Sequence, residues 1–284
     1  MDEVAKTVLI TGCSSGIGRS IAIHFARIDW QVIATVRHQD DADKLQMLGY
    51  TNIQPELLDL NDEQQILQLV DKLETQQTKA GLDVLINNAA FAEACPLEYS
   101  STNHLQQHFS ANVIGPMVLT RACLPLLKKR SGRIININSA LSHLGSPLMG
   151  IYNASKSAMY VITECLRVEL QRTGIHVISI EPGLVDTTLQ DKIIHSYRNL
   201  FKLLPEEARF YYQASSQKYV ELQKGLIKNA TKPAKVAQTV IKAVNANEPK
   251  PQYWVGYDSR ILHLLKPVLS MKLRDKIWKE VIGI

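Results

Sequence analysis

Short apolar runs rich in β-branched residues alternate along the chain with longer segments in which apolar positions recur every three or four residues. The runs fall at 7–11, 31–36, 52–57, 82–87, 132–138 and 175–181, with a shorter one at 253–256; the helical segments fall at 16–28, 62–77, 102–125, 151–173 and 232–246. Runs such as Val84-Leu85-Ile86 and Val177-Ile178-Ser179-Ile180 have almost no polar interruption, as expected of strands covered on both faces. Pro233 stands near the start of the last helical segment, where proline is tolerated. This alternation predicts βαβ units and a doubly wound parallel sheet with helices on both faces, an α/β fold. No Pro/Gly/Ser-rich linker divides the chain, so one domain over 1–284 is expected.

The rhythm breaks between 187 and 230. A third of the chain's Phe, Tyr and Trp residues gather there: Tyr197, Phe201, Phe210, Tyr211, Tyr212 and Tyr219. An insertion of this length after a strand predicts a helical substrate lid over 187–230. The segment 258–284 mixes Ile261, Leu262, Leu265, Leu269, Ile277 and Trp278 with basic residues. It is expected to form a helical pair on the lid or on a neighbouring subunit; a peripheral membrane contact through this basic amphipathic extension is the sharper alternative.

Composition narrows the function classes. With 284 residues, 45% hydrophobic and 21% charged, the chain is long enough for a well-buried core. Its net charge of +5 is local, because residues 250–284 hold seven Lys/Arg against three Asp/Glu and so supply +4 of it. The nearly neutral remainder argues against a nucleic-acid partner. Cys13, Cys95, Cys123 and Cys165 are widely spaced without a C-x-x-C, which suits a reducing cytoplasm. Neither a secretory signal nor eighteen uninterrupted apolar residues is present, so no spanning helix is expected. His104 and His108 lie one helical turn apart without further ligands, and no metal site is expected.

Three groups of residues carry the chemistry. After the first strand, Thr11-Gly12-Cys13-Ser14-Ser15-Gly16-Ile17-Gly18 leads into a helix. Glycines there permit a tight turn and a close backbone approach to a pyrophosphate, which the helix N-terminus then faces. The second strand ends Ala34-Thr35-Val36-Arg37, with a cation rather than a carboxylate where an adenosine 2′-substituent would lie. That favours the 2′-phosphate of NADP(H), although Asp40, Asp41 and Asp43 follow closely. On the fourth helical segment, Tyr152 and Lys156 share a face, and an ammonium beside a phenol is expected to lower the phenol's pKa. Ser139 stands thirteen residues before the tyrosine at a strand end, the same sheet edge as the glycine loop.

With these residues in place, the chain resembles the short-chain dehydrogenase/reductase family, with its single-domain Rossmann-type sheet. The matching pieces run in family order from Thr11 to about residue 187, roughly two thirds of the chain. They are the glycine loop, Asp59-Leu60, Asn87-Asn88-Ala89, Asn112, Ser139, Tyr152-x-x-x-Lys156 and Pro182-Gly183-x-Val185-x-Thr187. The resemblance implies that Tyr152 is the general acid/base and that Ser139 holds the substrate oxygen. It also implies that Lys156 holds the nicotinamide ribose and depresses the tyrosine pKa, and that Asn112 supports a proton-relay water. The implied cofactor contacts are the loop residues Gly12, Ser14, Ser15, Gly16, Ile17 and Gly18, with Arg37. Asp59 and Leu60 would meet the adenine, Asn88, Ala89 and Ala90 would line the adenosine ribose side, and Pro182, Gly183, Val185 and Thr187 would clasp the carboxamide.

Two departures stand out: Ala90 where the family usually has glycine, and Asn138 before Ser139 where a serine is common. Ser142 is a rival hydroxyl, less well spaced from Tyr152. The expected function is hydride transfer between NADP(H) and an apolar secondary alcohol, ketone or aldehyde. The stretches at 11–15, 34–37 and 180–183 resemble steroid- and retinol-type members, and the aromatic lid suits such a substrate. A homodimer or homotetramer through the helices at 102–125 and 151–173 is implied. The alternative is a catalytically silent NADP(H)-binding regulatory protein.

Overall fold

A computed structural model describes residues 5–77, 81–266 and 268–283, without the side chains at 76, 77, 201 and 203. Phe201 of the aromatic cluster and the two ends of the expected 1–284 span therefore lie outside the described residues. Seven strands alternate with helices: β1 (Thr7–Ile10), α1 (Gly16–Ala26), β2 (Gln31–Val36), α2 (Gln39–Gln46), β3 (Ile53–Leu57), α3 (Glu63–Lys72) and β4 (Val84–Asn87) come first. Then follow α4 (Thr102–Phe109), α5 (Gly115–Lys129), β5 (Arg133–Ile137), α6 (Gly150–Glu169) and β6 (His176–Pro182). The chain continues through α7 (Thr188–Leu203), α8 (Glu206–Ile227), α9 (Pro233–Asn245), β7 (Gln252–Val255), α10 (Tyr257–Leu265) and α11 (Met271–Ile282).

All pairings are parallel, in the order β3-β2-β1-β4-β5-β6-β7. Successive strand residues point to opposite faces. Val8, Ile10, Val32 and Ile86 pack under Phe25 of α1 and Val240 of α9. Leu9, Ile33, Leu85 and Ile134 pack under Leu69 of α3, Leu126 of α5 and Leu166 of α6. That two-sided burial explains the unbroken apolar runs, each fully buried Leu or Ile contributing about 1.5–3 kcal/mol. The strand order reverses direction between β1 and β4, which opens a crevice at the carboxyl edge there.

Three elements differ from the sequence reading. The helix expected at 102–125 is two helices, α4 and α5, joined by a π-helical turn at Ser110–Ile114, and α5 continues to Lys129 with Pro125 inside it. Helix α2 was not anticipated; only Ala42 and Leu45 of its eight residues are buried, too few to leave a periodic signal. The lid consists of two helices, α7 and α8. Among the described residues, Thr102–Lys129 is the stretch long and apolar enough to cross a membrane by length and composition, and half of its apolar window is buried inside the fold.

Candidate active site

The crevice is a cleft of about 530 Å³. Its first wall is the loop between β1 and α1. Gly12 and Gly16 have φ of +72° and +56°, conformations that a side chain would strain. A Cβ at Gly12 would stand 2.9 Å from the Ala89 backbone. Asn88 locks the two loops together: its Nδ2 donates to the Thr11 and Gly12 carbonyls at 2.8 and 3.1 Å, while Thr11 Oγ1 accepts from the Asn88 and Ala89 N–H groups. The lid starts against the same loop, Ser15 Oγ lying 2.8 Å from Thr188 Oγ1.

Beside this cradle the cleft passes Arg37, His38 and Asp41, then Asp59, Leu60 and Asn61. The guanidinium of Arg37 is exposed to the cleft mouth, whereas the Asp41 carboxylate accepts from Lys44 at 3.2 Å. Asp59 turns back on its own loop, accepting from the backbone and side chain of Asn61.

At the other end stand Ser139, Tyr152 and Lys156. Ser139 leaves the end of β5 as the cap of a short 3₁₀ turn, its Oγ accepting from the Leu141 N–H at 3.1 Å. The rival hydroxyl, Ser142, is buried within that turn and accepts from the Ser139 N–H. Tyr152 and Lys156 lie one turn apart on α6, and Lys156 Nζ donates to the Ile137 carbonyl at 2.9 Å. Burial pushes the Tyr152 phenol up to about 12; a hydrogen bond with Ser139 opposes this, and the charges of Glu181 and Tyr219 add to the rise. Burial also brings the Lys156 ammonium down to about 8, with the Glu181 charge opposing it. The lowered phenol expected from the sequence is therefore not what the protein environment produces, because desolvation outweighs the nearby charges.

Asn112 sits in the π-helical turn and does not face the cleft. Its side chain bonds to both backbone groups of Phe91, at 2.7 and 2.8 Å, and donates to Ser155 Oγ at 2.9 Å. Gly18 is likewise off the cleft; a Cβ there would strike the Gly12 carbonyl and the Asn88 amide. The turn Pro182–Val185 with Thr187 closes the wall opposite Ser139. Asp258, at the start of α10, fits its carboxylate under Gly183 and accepts the Leu184 N–H at 2.6 Å.

The cleft is also lined by the apolar Leu141, Met149, Ile193, Tyr219, Leu262 and Trp278 and by the polar Gln190, Lys192 and Gln223 of the lid helices. Of the six lid aromatics, Tyr219 reaches the cleft and Tyr197 stacks behind it at 4.6 Å, while Phe210 and Tyr211 point outward, 84% and 62% exposed. The aromatic roof is thus narrower than its sequence density suggests. Trp278 anchors α11 by donating to the Gly145 carbonyl at 3.1 Å. His104 and His108 meet edge to face, and both ring nitrogens of His108 meet backbone groups.

A glycine cradle and a Ser, Tyr, Lys set lining one parallel-sheet crevice define a dinucleotide-dependent oxidoreductase. The sequence profile of the family described as short chain dehydrogenase matches residues 6–198. A 3-amino-tetrahydro-pyrrolizinone reductase of Xenorhabdus hominickii is 31% identical, over 97% of this chain and 95% of its own. Retinol dehydrogenase 5 of Homo sapiens is 30% identical, over 97% and 88% respectively. Among solved structures, a short-chain dehydrogenase from Streptomyces avermitilis superimposes with a TM-score of 0.79 at 27% identity, covering 99% of this chain and 98% of that one. The closed form of a serine dehydrogenase complexed with NADP+ gives 0.72 at 25% identity, covering 87% and 93%. The chain belongs to the short chain dehydrogenase family.

Proposed function

We propose that the chain is an NADP(H)-dependent oxidoreductase acting on an apolar secondary alcohol, ketone or aldehyde of steroid-, retinoid- or lipid-like character, with Tyr152 as the acid/base. One observation carries this reading: the glycine cradle and the Ser139, Tyr152, Lys156 set wall a single cleft that Leu141, Met149, Ile193, Tyr219 and Trp278 also line. The residues fit the cofactor. The loop residues Gly12, Ser14, Ser15 and Gly16 line the cleft at the start of α1, where a pyrophosphate would meet backbone N–H groups, and Arg37 offers a fork for a 2′-phosphate. The NADP+ named in the serine dehydrogenase structure and the substrate named in retinol dehydrogenase 5 point the same way. When bound, NADPH supplies the hydride.

The chain's own residues supply the remainder. A phenol held up at about 12 is protonated at neutral pH, so Tyr152 is set to give its proton to a carbonyl oxygen as charge develops there. The Ser139 hydroxyl holds that oxygen beside the phenol. Lys156 keeps a buried positive charge under the same site, and Asn112 braces the loop after β4. Leu141, Met149 and Trp278 exclude water from the substrate end. A silent regulatory protein would have no need of Ser139, Tyr152 and Lys156 together in the cleft.

The α10–α11 pair supports a further contact. Leu264, Val268 and Met271 are 72–74% exposed beside Lys266, Lys272 and Arg274, a surface suited to anionic lipid. Exposed Leu105, Ile114, Val161 and Val168 on the helices from α4 to α6 suit a homodimer or homotetramer. The deciding assay follows NADPH absorbance against steroids, retinoids, acyl ketones and small sugars. Turnover confined to sugars removes the apolar assignment. Tyr152→Phe is expected to lose about 10²–10⁴-fold in turnover; wild-type turnover in that variant removes the acid/base role.

A further inference from the structure

Beyond the exposed His176 at its start, strand β6 is apolar except for two buried residues that meet inside the core, Ser179 and Glu181. Glu181 is fully buried. One carboxylate oxygen accepts the Ser179 hydroxyl at 2.5 Å, and the other accepts the backbone N–H of Ser139 at 3.1 Å. Asn138 completes the chain by donating to Ser179 Oγ at 2.7 Å. His143, itself buried, places Nε2 3.6 Å from the same carboxylate, with Gln252 of β7 3.3 Å behind it. A carboxylate in the core of a sheet is costly to desolvate unless it is fully bonded and faces a positive charge. Here the bonds run to the residue that carries the site's hydroxyl, and the field of the carboxylate reaches both Tyr152 and Lys156.

We propose that Glu181 is a positioning residue of the reaction: its carboxylate fixes the Ser139 backbone so that the hydroxyl meets the phenol, and places a fixed negative charge behind the Tyr152–Lys156 pair. The proposal rests on the acid/base role given above to Tyr152. The titratable groups that face Glu181 are His143 on the 3₁₀ turn after β5, and Tyr152, Lys156 and Tyr160 on α6. The remaining neighbours, Ser179 and Ser259, are uncharged; Ser259 bonds to the Glu181 carbonyl at 2.6 Å. A negative charge in this position opposes formation of phenolate and favours the ammonium. Removing it shifts both equilibria in one direction, so that Tyr152 and Lys156 each lose a proton at lower pH.

The test is Glu181→Gln, which keeps the size and an acceptor for Ser139 but removes the charge. Alcohol oxidation with NADP+ needs phenolate and ammonium together; with the ammonium at about 8 and the phenol at about 12, kcat/KM rises to a limb set by the lysine and falls beyond a second limb set by the phenol. Both limbs are expected to move to lower pH by about one unit, the order for a unit charge removed a few ångströms away. Because the glutamine keeps an acceptor for Ser139, kcat on the plateau is expected to change by less than about tenfold, with KM little changed. Limbs that stay in place overturn the proposal, whatever happens to the amplitude. Glu181→Asp is the second variant: it keeps the charge but withdraws it from Ser139, so kcat falls while the limbs stay, and limbs that move overturn the proposal equally. Tyr152→Phe, run in parallel, separates the two levels. If it retains turnover, the reading of the active site fails; if it is inactive and the limbs of Glu181→Gln are unmoved, only the role of Glu181 fails.

Discussion

Lys156 is a charge held inside the fold, and Lys156→Met is expected to exchange activity for stability. The ammonium falls from 10.5 to about 8 on folding, with burial as the leading cause. At about 1.36 kcal/mol per pH unit this is a penalty of about 3 kcal/mol. Because the folded value lies below the unfolded one, the penalty is complete below pH 8. It fades between pH 8 and 10.5, where the unfolded chain binds more protons than the folded one, and is gone above that range. Methionine fills the same space without the charge but leaves the Ile137 carbonyl without its donor, a loss of about 1 kcal/mol at every pH. The variant should therefore be about 2 kcal/mol more stable than the parent at pH 7 and about 1 kcal/mol less stable above pH 10.5. Urea unfolding of both proteins, followed by tryptophan fluorescence across that range, measures the difference directly. Other groups that titrate there, including the raised tyrosines, are common to both chains and cancel. Parallel stability curves, or a variant weaker than the parent at pH 7, would refute the reasoning.

Other consequences are simpler to measure. Replacing Arg37 by alanine should weaken NADPH binding by about 10- to 100-fold, the scale of a charge-assisted hydrogen bond, and leave NADH nearly unaffected; an unchanged NADPH/NADH ratio removes Arg37 from the site. Phosphatidylglycerol vesicles should pellet the parent at low salt, and Val268→Glu with Met271→Glu should abolish that binding, since both side chains are 74% exposed. Equal pelleting of parent and variant would leave the α10–α11 surface without a lipid role.

Much of this architecture was written plainly in the chain, for a physical reason. Five of the seven strands fall within the predicted runs and β6 and β7 overrun theirs by one residue, at Pro182 and Gln252; the central strands are legible because a sheet buried on both faces needs apolar residues at nearly every position, whereas the edge strand β3 carries Gln54 and Glu56. The π-helical turn at Ser110–Ile114 left no such trace. Its residues keep helical spacing, and Asn112 marks the break through bonds to Phe91, a partner 21 residues away. The direction of the Tyr152 shift was also hidden, because the tyrosine–lysine spacing states which charges meet but not how much water is removed. Phe210 and Tyr211 illustrate the same limit, since aromatic density does not say which side of α8 faces the cleft. Glu181 was legible in principle: a lone carboxylate between Ile180 and Pro182 at the end of an apolar strand is an anomaly that asks for a partner.

The latch at Asp258 bears on how the protein can be handled. Its carboxylate sits between Gly183 and Gly256 and holds the Leu184 N–H, so the first turn of α10 is a strut of the nucleotide-facing loop as much as the beginning of the tail. Ser259 adds a second pin, to the Glu181 carbonyl. A shortened version cut after Ser259 would retain both attachments but lose Leu262 and Trp278 from the cleft wall, whereas one cut at the end of β7 would also leave the loop unsupported.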